Sequence, residues 1–160
     1  MAILQRLKQR IARKTWHEAM STPVSQLMTA GVLCVSAGLG LDVLMSLLIE
    51  HHIGGAPVVD HSGSPVGMVS KTDLVTAMSE APVPRVGCAV VRDIMMPLTF
   101  ATDVDAPISQ AAALMAYEGV HRLPVVARTG EVVGILTTLD IVRWMAERDG
   151  YHLPAPRAWT

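Results

Sequence analysis

The sequence repeats itself once, with a period of 67 residues. Residues 24–79 align with residues 91–146 without a gap, and 12 of the 56 aligned positions are identical. Seven further positions exchange one of Leu, Ile, Met and Val for another. Self-similarity at a fixed period indicates duplicated structural units that bury their apolar faces on each other. The repeat therefore predicts two similar halves within the chain of 160 residues.

Within each copy, the hydrophobic pattern predicts the element order β-α-β-β-α. A lead-in segment and a short extended stretch precede a helix whose apolar residues recur at helical spacing, as Leu41, Leu44 and Leu48 do in the first copy. A Pro-Val-Val strand, a turn that contains Gly63 or Gly130, a second strand and a closing helix complete each copy. The repeated order predicts an α/β fold of the α+β kind.

The repeat also divides the chain into domains. The boundaries that we expect are an N-terminal extension at 1–23, a first domain at 24–79, a linker at 80–90, a second domain at 91–149 and a C-terminal tail at 150–160. The first 20 residues place Ile3, Leu7 and Ile11 on one helical face, with cations elsewhere. This pattern predicts an extra amphipathic helix, which lies on an anionic membrane surface, docks a partner, or packs on the module or across a dimer.

Composition and charge narrow the classes of function. The formal net charge is −1, which leaves no excess of cations to neutralise phosphates, so we do not expect a general nucleic-acid binder. Hydrophobic residues make up 51% of the chain and aromatic residues only 4%, so the core must be aliphatic. The two cysteines, Cys34 and Cys88, lie in apolar surroundings, which favours buried free thiols.

One segment has the composition of a membrane span. Residues 31–49 form a run of 19 residues with a single charge, Asp42. Their counterpart in the second copy, residues 98–116, contains Asp103 and Asp105. Because equivalent segments of a repeat should share an environment, we expect no transmembrane segment and place the protein in the cytoplasm.

The spacing of reactive side chains indicates neither catalysis nor metal binding. His51, His52 and His61 lie close together in sequence, but no second cluster or cysteine pair completes a zinc ligand set. No Ser/His/Asp or Cys/His arrangement stands out from its spacing. We therefore expect no catalytic residue, no metal site and no obligatory cofactor, and the protein is not expected to be an enzyme.

The second strand of each copy leads into a helix through the same motif. The sequence is Gly-Met-Val-Ser-Lys-Thr-Asp at 67–73 and Gly-Ile-Leu-Thr-Thr-Leu-Asp at 134–140. A Ser or Thr followed three residues later by Asp is typical of a helix capping box, with Asp in the Glu position. The same positions suit a nucleotide, because a helix N-terminus attracts phosphate and a carboxylate accepts hydrogen bonds from ribose hydroxyls. Found twice in register with a gapless repeat, the pattern indicates a binding function.

Together these features resemble a tandem pair of CBS domains, known as a Bateman module. The resemblance covers residues 24–146 and rests on the lead-in segments VSQLM and VRDIM, the Pro-Val-Val strands, and the motifs GMVSKTD and GILTTLD. It implies two repeats related by pseudo-twofold symmetry, with two clefts between them that commonly bind AMP, ADP, ATP, S-adenosylmethionine or NAD. It also implies a homodimer, and a module that regulates rather than catalyses.

The resemblance further implies that each cleft takes residues from both repeats. Residues 121–125, HRLPV, are similar to the phosphate-binding strand in the nucleotide-sensing subunit of AMP-activated kinases. The residues expected in one cleft, with cations for a phosphate, are Ser70, Lys71, Asp73, His121 and Arg122. The residues expected in the other cleft are Thr137, Asp140, Gly54, Gly55 and Ala56. Because two glycines replace the His-Arg pair there, the second cleft is expected to lack cations, which favours a nucleoside-like ligand or none.

These expectations favour a regulatory module that senses adenine nucleotides. The ligand would neutralise the clustered cations, bridge the repeats and shift the population toward one orientation, which an unidentified client protein would read. Two alternatives stay open. One is a dimerisation or interaction module without nucleotide binding, and the other is a module that binds S-adenosylmethionine or NAD.

Overall fold

Two copies of one element order make up the part of the chain that the computed structural model describes, residues 16–80, 89–97 and 100–155. The first repeat contains β1 (Thr29–Ala30), β2 (Val35–Ser36), α1 (Leu41–Glu50), β3 (Gly55–Val59), β4 (Pro65–Ser70) and α2 (Lys71–Glu80). The second contains β5 (Thr102–Asp103), α3 (Ile108–Glu118), β6 (Arg122–Val126), β7 (Val132–Thr137) and α4 (Thr138–Arg148). A 3-10 turn at Val24–Gln26 or Val91–Asp93 opens each repeat.

Parts of the predicted terminal and linker segments lie outside the described residues. These parts are residues 1–15 of the amphipathic segment, residues 81–88 of the linker, which include Cys88, and residues 156–160 of the tail. Of the N-terminal segment, residues 16–20 are helical and Ala19 is buried. The amphipathic face of that segment therefore stays a prediction.

The strands form two sheets whose internal pairing is equivalent. β2 is parallel to β3 and β3 is antiparallel to β4, while β5, β6 and β7 pair in the same way in the other sheet. The registers are related by the repeat, since Val35 lies opposite Val58 and Thr102 lies opposite Val125. Both hairpins also shift register between the two valines of their Pro-Val-Val strand. This correspondence is what two repeats related by pseudo-twofold symmetry require.

The lead-in segments cross from one repeat to the other. Val24 is fully buried in the core of the second repeat, and Val91 is fully buried in the core of the first. The N–H of Val24 donates to the Ala106 carbonyl at 2.8 Å, and the N–H of Val91 donates to the Leu39 carbonyl at 2.8 Å. β1 likewise pairs with β7 of the second repeat. Each half therefore completes the core of the other.

Gly67 and Gly134 lie where the lead-in segments pass over the sheets. A β-carbon at Gly67 would lie 2.7 Å from the Met96 carbonyl oxygen, and one at Gly134 would lie 2.8 Å from the Thr29 carbonyl oxygen. Both distances are too short for a van der Waals contact, so any larger residue would push the crossing segment away. The crossing segments thus explain why glycine occupies this position in both copies.

The segment with the composition of a membrane span divides into β2 and α1. α1 has ten residues and buries Leu44 and Leu48 in the same cluster as Val58. Leu44 and Leu48 therefore belong to the core of the first repeat, while Val43, Met45 and Ile49 of the same helix are exposed. Among the helices in the described part of the chain, none is both long enough and apolar enough to cross a membrane.

Candidate ligand-binding clefts

Two clefts open between the repeats, and each contains one carboxylate of the repeated motif. The Asp73 cleft, named for Asp73, combines the start of α2 with the start of β6. The Asp140 cleft, named for Asp140, combines the start of α4 with the start of β3. Each cleft therefore takes residues from both repeats, because a helix of one repeat faces a strand of the other.

The Asp73 cleft has a volume of about 280 Å³ and is lined by both polar and apolar residues. Its polar residues are Ser70, Thr72, Asp73, His121 and Arg122. Its apolar and glycine residues are Gly54, Met68, Val69, Met96, Phe100, Gly119 and Val120. A concave surface with an apolar wall and a few convergent polar groups is the usual form of a small-molecule site.

Ser70 and Asp73 form a capping box at the start of α2. The hydroxyl and the N–H of Ser70 both donate to Oδ2 of Asp73, each at 2.7 Å. The Asp73 N–H donates in turn to the Ser70 hydroxyl oxygen at 3.3 Å. These bonds hold the carboxylate at the cleft wall, and Oδ1 receives no hydrogen bond from the described residues. Thr137 and Asp140 form the same box at the start of α4.

The guanidinium group of Arg122 lies against the two glycines at the start of β3. A β-carbon at Gly54 would lie 3.3 Å from its Nη2, and one at Gly55 would lie 3.0 Å from its Nη1. The two glycines therefore leave the space that this side chain occupies. Burial lowers the pKa of the Arg122 guanidinium, while attraction to Asp73 opposes that change. A half-buried cation of this kind gains free energy when an anion approaches it.

The Asp140 cleft is the larger of these two, with a volume of about 590 Å³. Of the residues expected there, it is lined by Thr137, Asp140, Gly54 and Gly55. The expectation that this cleft lacks cations is wrong, because both Arg122 and Arg143 line it. The glycines do remove side chains from the start of β3, but the arginine of the opposite repeat extends into the space that they leave.

Arg143 reaches the Asp140 cleft from α4 and is already engaged by neighbouring groups. Its Nη2 donates to the Pro154 carbonyl at 2.6 Å and lies 3.7 Å from Oε1 of Glu147. The carbonyl belongs to the segment that follows α4. Arg143 therefore offers an incoming anion fewer unoccupied donors than an arginine without such contacts.

Two of the expected site residues line neither cleft. Lys71 is exposed, and the next residue, Thr72, lines the Asp73 cleft instead, because successive helical residues point about 100° apart. Ala56 is fully buried in the core of the first repeat. Successive side chains of a strand point to opposite faces, and the neighbours Gly55 and Pro57 are the ones that line the Asp140 cleft.

Sequence reasoning missed Phe100 and Arg143. Phe100 lines the Asp73 cleft, and its counterpart in the repeat, Leu33, lines the Asp140 cleft. The repeat identifies one of these two positions only after the other is known to line a cleft. Arg143 had a clearer signal, because it follows Asp140 by three residues and helical spacing places the two on one face of α4.

Cys34 is a free cysteine in the wall of the Asp140 cleft. It is half-buried, and burial raises the pKa of its thiol. His51 lines the same cleft. Across residues 16–80, 89–97 and 100–155, no group of three or more His, Cys, Asp or Glu side chains is placed to hold a metal ion.

A protein-family model described as the CBS domain matches the chain twice, over residues 24–80 and residues 91–147. A curated relative, Uncharacterized protein MJ1404 of Methanocaldococcus jannaschii, is 31% identical over 138 residues, which make up 79% of this chain and 32% of that protein. The chain thus spans about a third of the length of this relative. The two family matches contain both lead-in segments and both capping motifs.

Solved structures with the same fold include ligand complexes. The crystal structure of CBSX2, a CBS-pair protein from Arabidopsis thaliana, in complex with AMP has 30% identity and a TM-score of 0.68, over 79% of this chain and 98% of that one. The CBS domain pair of protein MJ0100, in complex with 5′-methylthioadenosine and S-adenosyl-L-methionine, has 25% identity and a TM-score of 0.69, over 78% of this chain and 99% of that one. The mixed α/β fold predicted from the sequence is thereby confirmed.

Proposed function

Because the chain belongs to the CBS domain family and contains two CBS domains, we propose that it is a regulatory module that senses adenine nucleotides. The ligands that we favour are AMP, ADP and ATP, bound in the clefts between the repeats. CBS-pair proteins are generally regulatory rather than catalytic, and we propose the same for this chain. A sensor of this kind would meet its ligands in the cytoplasm, where we propose that it acts.

The observation that carries the proposal is the position of Arg122 beside the capped carboxylate of Asp73. A nucleoside monophosphate presents a phosphate, a ribose diol and a planar base. Arg122 and His121 supply positive charge and donors for the phosphate. Oδ1 of Asp73 is available to accept a hydrogen bond from a ribose hydroxyl, and Phe100 offers an aromatic surface to the base.

The ligands of similar proteins support this choice of chemistry. AMP in the CBSX2 complex and both ligands in the complex of the MJ0100 domain pair contain an adenosine group. We therefore propose that the adenosine group is recognised in common and that the cations select for phosphate. The Asp140 cleft has more volume, so S-adenosylmethionine and NAD remain alternatives that this cleft could hold.

The proposed mechanism is a shift between orientations of the two repeats. Each cleft is lined by both repeats, so a ligand that contacts Asp73 on one side and Arg122 on the other stabilises one relative orientation. Such a ligand shifts the population only as far as its affinities for the two orientations differ. We propose that a client protein binds one orientation in preference to the other.

We also propose that two copies associate through the exposed faces of α2 and α4. Val75 and Met78 on α2 are 66% and 57% exposed, and their counterparts Val142 and Met145 on α4 are 57% and 36% exposed. Both pairs are identical in the two copies, although core packing does not require them. Exposed apolar surface of this kind marks interaction sites, and a homodimer would cover it.

A melting screen tests the ligand proposal. The protein would be heated with AMP, ATP, S-adenosylmethionine, NAD, adenosine and GMP, where GMP is the control that keeps the phosphate and ribose but changes the base. We expect AMP to raise the melting temperature most. A ligand present at a hundred times its Kd stabilises the folded protein by about 2.7 kcal/mol, which is large enough to measure. Equal shifts with GMP would contradict adenine recognition. If no ligand shifts the transition, the module is an interaction module without nucleotide binding.

A further inference from the structure

Arg122 lies between the two clefts and lines both of them. Its side chain extends from the start of β6 across Gly54 and Gly55, and Gly54 is also shared by the two clefts. Within the described part of the chain, His121 lines only the Asp73 cleft and Arg143 lines only the Asp140 cleft. Arg122 is therefore the cation that a phosphate in either cleft would meet.

We infer that phosphate-bearing ligands in the two clefts compete for Arg122, so that binding in one cleft weakens binding in the other. This inference rests on the proposed function, because it presupposes that adenine ligands bind in the clefts. A guanidinium group has five N–H donors, but its planar fork makes a bidentate contact with one phosphate at a time. Two phosphates beside one cation also repel each other, and they are screened less at a half-buried position than in open water.

The two clefts are not equal in this competition. When Arg122 turns toward the Asp73 cleft, a phosphate there has both Arg122 and His121, while the Asp140 cleft keeps His51 and Arg143. Arg143 already donates to the Pro154 carbonyl at 2.6 Å. A nucleotide therefore occupies the Asp73 cleft first, and the Asp140 cleft then takes a second nucleotide weakly.

A ligand without a phosphate does not enter this competition. Adenosine makes no demand on Arg122, so it can occupy the Asp140 cleft while a nucleotide holds the Asp73 cleft. The module would then carry two different adenine ligands more readily than two nucleotides. The negative coupling is therefore expected between two phosphate-bearing ligands and is absent when one ligand has no phosphate, which gives the inference a signature that independent sites lack.

The chain offers a matched pair of positions at which each cleft can be filled separately. Thr72 and Leu139 are counterparts in the repeat, both are exposed, and each lines one cleft from the second position of its helix. Thr72→Trp places an indole in the Asp73 cleft, and Leu139→Trp places one in the Asp140 cleft. Calorimetric titrations of AMP and of adenosine into both variants and the wild type would give each affinity, with melting curves to check folding.

We expect each variant to bind one AMP, and the wild type to bind its second AMP about tenfold more weakly than the Thr72→Trp variant binds its one. Adenosine should bind the wild type with the affinities of the two variants. When Arg122→Gln is added to the wild type and to both tryptophan variants, the two AMP affinities of the protein with both clefts open should equal the affinities of the two variants with one cleft filled.

Two results would overturn the inference alone. The first is a wild type that binds two AMP with the affinities of the two single-cleft variants, which would mean that the clefts are independent. The second is a wild type that binds one AMP and loses it entirely in one of the variants, which would mean that only one cleft accepts nucleotide. If no form binds AMP, the proposed function fails and the inference fails with it.

Discussion

Nη1 of Arg122 lies against the backbone of Gly55, so that a β-carbon at Gly55 would lie 3.0 Å from that nitrogen. The same β-carbon would lie 2.6 Å from the Val69 carbonyl oxygen. Gly54 differs, because the three atoms nearest to an added β-carbon there all belong to the Arg122 side chain, the closest at 3.3 Å. Neither glycine has a positive φ, so the space around each position, and not backbone conformation, decides whether a larger residue fits.

This difference predicts opposite outcomes for two neighbouring substitutions. Gly55→Ala should lower the free energy of unfolding by about 1–3 kcal/mol, because the backbone of β4 must move to admit a methyl group. Gly54→Ala meets only the end of a flexible side chain and should change stability by less than about 0.5 kcal/mol. Urea denaturation of both variants measures the two values. Equal losses of stability would mean that Arg122 is as fixed as the backbone.

The two capping boxes predict a matched pair of losses. Asp73→Ala and Asp140→Ala should each lower the free energy of unfolding by about 1 kcal/mol, because each removes the acceptor that holds the start of a helix. Asp42→Ala is the control, since Asp42 lies in the first turn of α1 and takes no part in a side-chain cap. If all three variants unfold at the same urea concentration as the wild type, the capping bonds contribute nothing measurable to stability.

The order of elements could be predicted from the sequence because the repeat showed every periodic pattern twice. The pairing of Asp73 with Arg122 across one cleft came from family resemblance. The repeat shows which positions of the two copies are equivalent, but it does not show which ends of the two sheets meet. The crossing of the lead-in segments was not predicted. The two cores are both aliphatic and offer similar surfaces to Val24 and Val91. The sequence therefore does not show which core each valine enters.

Errors at single positions had local physical causes. The resemblance implies a place in the cleft for Ala56, but the alternation of side chains along β3 turns it into the core. Arg143 was not recognised because no counterpart in the first copy is charged, Thr76 being at the matching position. A repeat reveals what two copies share, and it hides the residues by which they differ.

Cys34 gives a chemical probe of the Asp140 cleft. Burial raises the pKa of its thiol, so less thiolate is present at neutral pH than in a free thiol such as glutathione. Alkylation by iodoacetamide should therefore be slower than that of glutathione at pH 7.5 and should accelerate as the pH rises toward the raised pKa. A saturating adenine ligand in this cleft should slow the reaction further.

Peptide mass spectrometry would follow Cys34 separately from Cys88. Alkylation of Cys34 at the rate of glutathione, with no effect of ligand at any concentration, would contradict both its half-buried position and the occupation of this cleft. The rate at Cys88 serves as an internal reference, because its response to ligand can be compared in the same sample.

The exposed faces of α2 and α4 predict that association depends on Val75 and Val142. The double variant Val75→Glu/Val142→Glu should be a monomer by light scattering at roughly tens of micromolar, where weak interfaces fail, while the wild type is a dimer. Thr76→Glu is the control, because Thr76 is also exposed on α2 but lies beside the apolar face. A wild type that is already monomeric, or a double variant that stays dimeric, would place the interface elsewhere or remove it.

The central claim is that Arg122 binds the phosphate of an adenine nucleotide. The most direct test is calorimetric titration of AMP and of adenosine into the wild type, Arg122→Gln and Arg128→Gln. Arg128 is the matched control, because it is an exposed arginine of the same repeat that lines neither cleft. It forms an ion pair with Asp105 at 3.0 Å. We expect Arg122→Gln to weaken AMP by about 1.5–3 kcal/mol, the range for a hydrogen bond to a charged group, and to leave adenosine unchanged. AMP affinity that is the same in all three proteins would contradict the account.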